Sequence, residues 1–233
     1  MIKIQIIASG SSGNCYKISD GDQDLMIECG INIKSIKKAL NFNLSSIKCC
    51  IISHSHTDHC LSIEKVSSSG VDVFASRHTL KPIEKTCTSF HRLHYMHYMQ
   101  VIDIGNYKIL PFPLVHDVPC TGFLITCGSA KILYISDTAE INYKFSELTH
   151  IMIECNHDYN ILTDSICSGK INFQLGHRIT QNHLSLKYVK SFLKAQDLSK
   201  VEKIYLLHIS KNNGDREQFK SEIEQLTGKE VII

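Results

Sequence analysis

Apolar residues in this chain gather into short runs broken by Gly, Ser, Asn and Asp, the rhythm of strands and turns. In the first half the runs are Lys3 to Ile7, Tyr16 to Ser19, Asp24 to Ile27, Cys49 to Ile52 and Val71 to Ala75. Between the third and fourth, Ile33, Ile36, Lys37 and Leu40 recur at helical spacing. The second half repeats the style at Lys108 to Leu114, Gly122 to Cys127, Lys131 to Ile135, Ile151 to Glu154, Lys203 to Leu207 and Glu230 to Ile233, with helical periodicity at Leu184 to Ala195 and Asp215 to Leu226. Strands in series with helices between and after them predict an α/β protein, its sheets covered by helices. Two stretches lack a clear pattern, about Thr86 to Met99 and Asn156 to Gln181. Both are expected as surface insertions of the kind that lie over sites. No Pro/Gly/Ser-rich linker interrupts the chain, and 233 residues with 43% hydrophobic content can bury one core, so a single domain over residues 1–233 is expected.

Charge narrows the partners. The 25 basic and 23 acidic residues leave a formal charge of +2, which argues against a protein that grips long polyanions mainly by counterion release. A local basic groove is compatible with that total, and Lys34, Lys37 and Lys38 supply part of one. The apolar run Ile4 to Ala8 stops at Ser9 and Gly10, short of a signal-peptide core or a membrane span, so a soluble cytoplasmic protein without membrane contact is expected. The ten cysteines are scattered without CxxC pairs and read as reduced thiols, mostly small buried hydrophobes.

The chemistry concentrates in His54-Ser-His56-Thr-Asp58-His59, which follows the run Cys49 to Ser53 and so belongs on a loop at the end of a buried strand. Imidazoles suit zinc and similar borderline metals, and a carboxylate among them can hold a second ion. One loop cannot close such a site, so further ligands should end other strands. His116 follows Ile109 to Val115, Asp137 follows Lys131 to Ser136, and His208 follows Lys203 to Leu207.

HxHxDH followed by isolated His, Asp and His after successive strands resembles the metallo-β-lactamase superfamily over the whole chain. The resemblance implies a four-layer αββα sandwich, two β-sheets flanked by helices. It implies His54, His56 and His116 on one divalent ion, Asp58, His59 and His208 on a second, and Asp137 bridging them. Zinc is the expected metal, with manganese the other choice. The absence of a cysteine ligand, and His56 where other branches have Glu, disfavours cysteine-using lactam hydrolases and di-iron oxygen reductases. Glu28 departs from the Asp that usually braces the histidine loop, although a longer carboxylate can accept the same hydrogen bond.

Three further stretches, Ala8-Ser-Gly-Ser-Ser-Gly-Asn-Cys15, Glu154-Cys-Asn-His157 and His183-Leu-Ser185, resemble the YycJ/WalJ-type branch. That branch includes nucleic-acid exonucleases and phage anti-Pycsar proteins that hydrolyse cyclic nucleotides. It implies a homodimer and places Ser12, Asn14, Asn156 and His183 at the substrate, His183 against the scissile phosphate. Ser9 to Asn14 is no P-loop, for it has no Lys.

A two-metal centre activates a water and stabilises the entering and leaving oxygens of an in-line displacement. Asp58 would orient the nucleophile and His183 bind the phosphoryl oxygen or protonate the departing alkoxide. The expected activity is hydrolysis of 3',5'-cyclic mononucleotides to linear monophosphates, as in phage evasion of cyclic-nucleotide signalling inside a bacterial host. The alternatives are a DNA exonuclease, a thioester hydrolase of the glyoxalase II kind, which leaves the Ser9–Asn14 and His183 resemblances unexplained, and a protein that sequesters nucleotide uncut. His91, His94 and His97 stand three apart, a helical stripe interleaved with Arg92, Tyr95 and Tyr98 that decorates an insertion or stacks on a base.

Overall fold

The computed structural model describes residues 2–233, which cluster into two compact units. The first runs to Pro113 and takes in Val118–Gly128; the second is Leu114–Asp117 with Ser129–Ile233.

The first unit is laid down as β1 (Lys3–Ala8), β2 (Cys15–Ser19), β3 (Asp24–Ile27), α1 (Ile33–Ala39), β4 (Ile47–Ile52), α2 (Thr57–Cys60), α3 (Ile63–Ser68), β5 (Asp72–Ser76), α4 (Arg77–Glu84) and β6 (Leu93–Met96). These six strands form one sheet in chain order. β1, β2 and β3 are antiparallel, whereas β3 to β6 run parallel. Parallel neighbours need crossovers that cover the sheet, which is why the central strands read as continuous apolar runs. In β4, Cys49 to Ile52 are all fully buried. Ile36 of α1, Ile63 and Val66 of α3 and Leu80 of α4 share one core cluster with Met26, Cys50, Ile52, Val73 and Ala75. Side-chain caps start two of the helices: Asn32 accepts from Lys34 N, and Ser76 from Thr79 N.

Because β3 to β6 are parallel and paired Ile27 to Ile51, Ile52 to Ala75 and Ala75 to Tyr95, their carboxyl ends share one sheet edge. Glu28, the loop from Ser53, Arg77 and His97 therefore all leave the sheet on the same side. The carboxyl edge of parallel strands is where α/β folds place their ligand-binding loops. The unit is completed by β7 (Ile102–Ile104), β8 (Tyr107–Leu114) and β9 (Cys120–Cys127), in that spatial order, with β7 and β8 antiparallel.

The expected insertion at Thr86 to Met99 contains β6, and the three-apart histidines are not a helical stripe. Leu93 and Met96, both buried, mimic helical spacing, but hydrogen bonding to β5 sets an extended backbone. The three rings part company as a result. His94 stacks on Phe74 at 4.7 Å and lies 3.3 Å from Asp72, while His91 and His97 are exposed.

The second unit contains β10 (Ala130–Ile135), β11 (His150–Glu154), α5 (Tyr159–Cys167), α6 (Phe173–Asn182), α7 (Leu186–Lys194), β12 (Lys203–Leu207), α8 (Arg216–Thr227) and β13 (Glu230–Ile232). Its four strands are parallel in the order β13-β12-β11-β10. The strands and the helices α7 and α8 coincide with the predicted segments to within two residues. The region 156–181 is instead built from α5 and α6, capped by Asp158 and Asn172. Each keeps only one or two fully buried side chains or glycines, too few to print a clear apolar stripe on the sequence. Among the described residues no helix is long and apolar enough to cross a membrane.

Ile51 lies mid-sheet with no solvent exposure. Truncation to Ala is expected to cost about 2–5 kcal/mol, read as a lowered urea midpoint with an unchanged m-value.

Candidate metal-binding clusters

In the first unit β4 delivers Ser53 and His54 at its carboxyl end, and the short helix α2 turns Asp58 and His59 back towards them. His54 is fully buried. Its Nδ1 faces Ser53 Oγ at 2.8 Å and Cys120 Sγ at 3.6 Å, which directs Nε2 to within 3.1 Å of His56 Nδ1. The His54 and His59 ring centroids are 4.1 Å apart, and Asp58 Oδ2 is 3.5 Å from His59 Nε2. Four potential ligands thus crowd one short loop.

Two buried residues hold that loop. Glu28, with no exposure and a left-handed φ of 60°, accepts from Ser53 N at 3.2 Å and sets Oε1 3.3 Å from His59 Nδ1. A carboxylate facing Nδ1 is the kind of outer partner that orients a metal-ligating imidazole. Glu28 thus meets the histidine loop as the longer carboxylate was expected to. Asn14, also fully buried, donates to the Asp58 carbonyl at 3.2 Å and lies 3.1 Å from His59 Nε2. It ties the Ser9–Asn14 turn to the histidine loop, whereas Ser12 is exposed. Gly30 permits the close approach: a Cβ there would lie 1.6 Å from the Asp58 carbonyl oxygen.

In the second unit Asp137 follows β10, Glu154 ends β11, His208 follows β12, and His183 caps α6. Donor atoms of these four all lie within 4.8 Å of one another. Glu154 is the centre of the group. Its Oε1 sits 2.6 Å from His183 Nδ1 and 3.0 Å from His208 Nδ1, and its Oε2 accepts from Leu184 N and Thr138 N at 3.1 and 3.3 Å. His208 Nδ1 is also 3.2 Å from Asp137 Oδ1. Asn156 donates to the His208 carbonyl at 3.0 Å, which helps hold His208 at a left-handed φ of 52°. His116 Nδ1 meets the Asn182 carbonyl at 3.1 Å, and its ring centroid is 5.6 Å from that of His183.

The electrostatics follow from burial and pairing. Burial disfavours charge on Glu154, yet His183 beside it brings its pKa below the usual carboxylate range. Burial likewise works against the charged form of His183, but Glu154 and Asp137 raise its pKa above the ordinary imidazole value. His116, buried with weaker compensation, is lowered. Imidazoles mixed with carboxylates, largely buried and held by outer partners, are donors suited to zinc or a similar divalent ion.

Of the residues singled out in the sequence, His54, His56, Asp58 and His59 lie in the first unit, and His116, Asp137, His183 and His208 in the second. The sequence reading assigned no role to Glu154, although an acidic residue closing a buried strand was the same signal as Asp137 and His208. Asn14 and Asn156, expected at the substrate, bond to the backbone of Asp58 and His208.

Comparison with known proteins bears on the family. Residues 25–209, a span that runs through both units, match the β-lactamase superfamily domain. The chain belongs to the β-lactamase superfamily. It is similar to the exodeoxyribonuclease WalJ of Streptococcus pneumoniae serotype 2, 26% identical over 230 residues, covering 92% of this chain and 84% of the relative. It is similar also to the exodeoxyribonuclease YycJ of Bacillus anthracis, 22% identical over 247 residues, covering 97% and 89%. Among solved structures, the metallo-β-lactamase-fold protein YhfI of Bacillus subtilis superposes with a TM-score of 0.77 at 17% identity, covering 100% of this chain and 95% of that one. The expected α/β class, two β-sheets flanked by helices, is the fold of this superfamily member. A hydrolase fold of this family implies divalent metal.

Gly30→Ala is expected to destabilise the superfamily member by about 2 kcal/mol or more, since backbone rather than a flexible side chain blocks the new Cβ. Urea denaturation checks this. His157 is fully buried, and burial lowers its pKa to about 4. The unfolded chain takes up that proton near pH 6.5, so this contribution to stability is complete above that value and is lost as pH falls towards 4. Denaturation midpoints of wild type and His157→Gln measured at pH 7 and 5 should converge at the lower pH.

Proposed function

We propose that this protein is a two-metal phosphodiesterase acting on nucleotides, with a DNA strand as its leading substrate. The observation that carries the proposal is His183, held by Glu154 at 2.6 Å with a raised pKa among candidate metal ligands. A protonated imidazole there is a general acid for a departing alkoxide, which is what a phosphodiester with a poor leaving group needs. The residues that would hold the metals are His54, His56, Asp58 and His59 of the first unit and His116, Asp137 and His208 of the second. Two divalent ions in such a set lower the pKa of a water and neutralise phosphoryl charge. Asp58 orients the attacking water, Glu154 keeps the proton on His183 Nε2 available, and Glu28 and Asn14 hold His59. The substrate choice draws on the exodeoxyribonuclease relatives, which match nearly the whole chain.

A second reading, hydrolysis of 3',5'-cyclic mononucleotides, is favoured by the near-balanced charge of +2. It uses the same groups, with the ring oxygen of the cyclic diester as leaving group. The homodimer implied by the branch resemblance, and the cytoplasmic location expected from the N-terminal sequence, accompany either reading.

Zinc- or manganese-loaded protein should release mononucleotides from end-labelled DNA, and Asp58→Ala/His59→Ala should not. Linear monophosphate from cyclic CMP, UMP, AMP or GMP, with DNA left intact, would transfer the assignment to the second reading; recovery of uncut nucleotide in both arms would reject hydrolysis. His183→Ala should lower kcat about 10²–10⁴-fold on the natural diester. It should change bis(4-nitrophenyl) phosphate turnover little, because nitrophenolate leaves without a proton.

A further inference from the structure

We propose that the carboxyl edge of the first unit's parallel strands continues from the histidine loop onto α4 as a phosphate-binding track for a single nucleic-acid strand. The choice of nucleic acid rests on the phosphodiesterase reading; the track itself rests on the first unit's geometry. β4 and β5 are adjacent and parallel, with Ile52 opposite Ala75. His54 and Arg77 therefore leave the sheet one strand apart, a separation of about 5 Å between strand axes. From Arg77, α4 carries Lys81 and then Lys85 at its carboxyl cap, a stripe of residues four apart. Each step advances about 6 Å along the helix axis, comparable with the repeat of phosphates along an extended strand.

Arg77, His78, Lys81, Pro82 and Lys85 line an open groove of about 750 Å³ and are all exposed or half-buried. The groove has no acidic lining residue. The single carboxylate of α4, Glu84, does not line the groove and lies beside the Tyr95 hydroxyl of β6. Among the described residues, no ion pair is made by Arg77, Lys81 or Lys85, in contrast to Lys190 with Glu222 and Lys200 with Glu147. One strand further on, β6 ends at Met96 and presents His97 and Tyr98, both exposed, on the same edge. Tyr98 donates to the Cys120 carbonyl, which fixes its ring. A cationic groove beside exposed rings is the combination that binds single strands without reading sequence, the cations tracking phosphates and the rings stacking on bases. The near-neutral total charge does not oppose this, because the positive charge is local.

The test is fluorescence anisotropy of a labelled single-stranded oligodeoxynucleotide with the full chain, in EDTA so that no strand is cut, over a range of salt. In Arg77→Gln/Lys81→Gln/Lys85→Gln the affinity at low salt should fall about tenfold or more, and the slope of log K against log salt should flatten by about 2, roughly 0.7 for each phosphate no longer neutralised. Thermal melting and metal-loaded turnover of bis(4-nitrophenyl) phosphate should be unchanged, since the three side chains touch no ligand. The comparison variant Lys34→Gln/Lys37→Gln/Lys38→Gln on α1 should keep its slope. An unchanged slope in the α4 variant, or an equal loss in the α1 variant, would overturn the track. So would wild-type protein that binds phosphatidylserine vesicles and not the oligonucleotide. Strand binding through α4 by a protein that cleaves only cyclic nucleotides would support the track and remove the DNA reading. Absence of strand binding, with small diesters still cleaved, would overturn the track and leave only the diester chemistry standing.

Discussion

A carboxylate shut away from water must be met by donors, and each candidate cluster is organised around one such group. Leaving a buried charge unpaired costs several kcal/mol, more than most single contacts can return. Glu28 and Glu154 have no solvent exposure, and each closes a strand at its carboxyl end or stands one residue beyond it. Glu28 meets Ser53 N and faces His59; Glu154 meets Thr138 N, Leu184 N, His183 and His208. The donors come from segments far apart in the chain, so satisfying each glutamate also positions the histidines.

The same demand explains the backbone around the clusters. Glu28 and His208 both adopt left-handed φ, a conformation that costs a non-glycine residue of order 1 kcal/mol or more. Each is held there by surrounding bonds: Cys29 N to the His59 carbonyl beside Glu28, and Asn156 to the His208 carbonyl. Asn14 and Gly30 act on the Asp58–His59 turn in the same spirit, one by donating to the Asp58 carbonyl and the other by leaving room for it. The Gly/Ser-rich stretch near the N-terminus thus supports the loop through Asn14.

Glu154 also sets the chemistry. Without it, burial would favour a neutral His183; with it 2.6 Å away, the imidazole holds its proton more tightly than usual. A group poised as an acid among candidate metal ligands is what the proposed phosphodiester hydrolysis would use. On the first unit, the carboxyl edge that presents the histidine loop also presents the basic stripe of α4. Parallel topology puts both on one side, where an antiparallel arrangement would have sent them to opposite ends of the sheet.

Much of this molecule was legible in the chain. Strands such as Asp24–Ile27 and Lys203–Leu207, and helices α7 and α8, follow from local periodicity. The HxHxDH loop follows from residue chemistry at a strand end. Segments whose state depends on a distant partner were not legible. β6 became a strand through pairing with β5 although Leu93 and Met96 are spaced as in a helix; α5 and α6 bury too little to leave a pattern. Glu154 looked like an ordinary strand-end acid until the fold brought His183 and His208 to it. Sequence by itself determined which residues can ligate, and which runs must be buried, because those are properties of side chains and their spacing. Only the tertiary structure decided which buried charge meets which donor, and which lysines stand without an ion-pair partner, because these depend on contacts between segments remote in the chain.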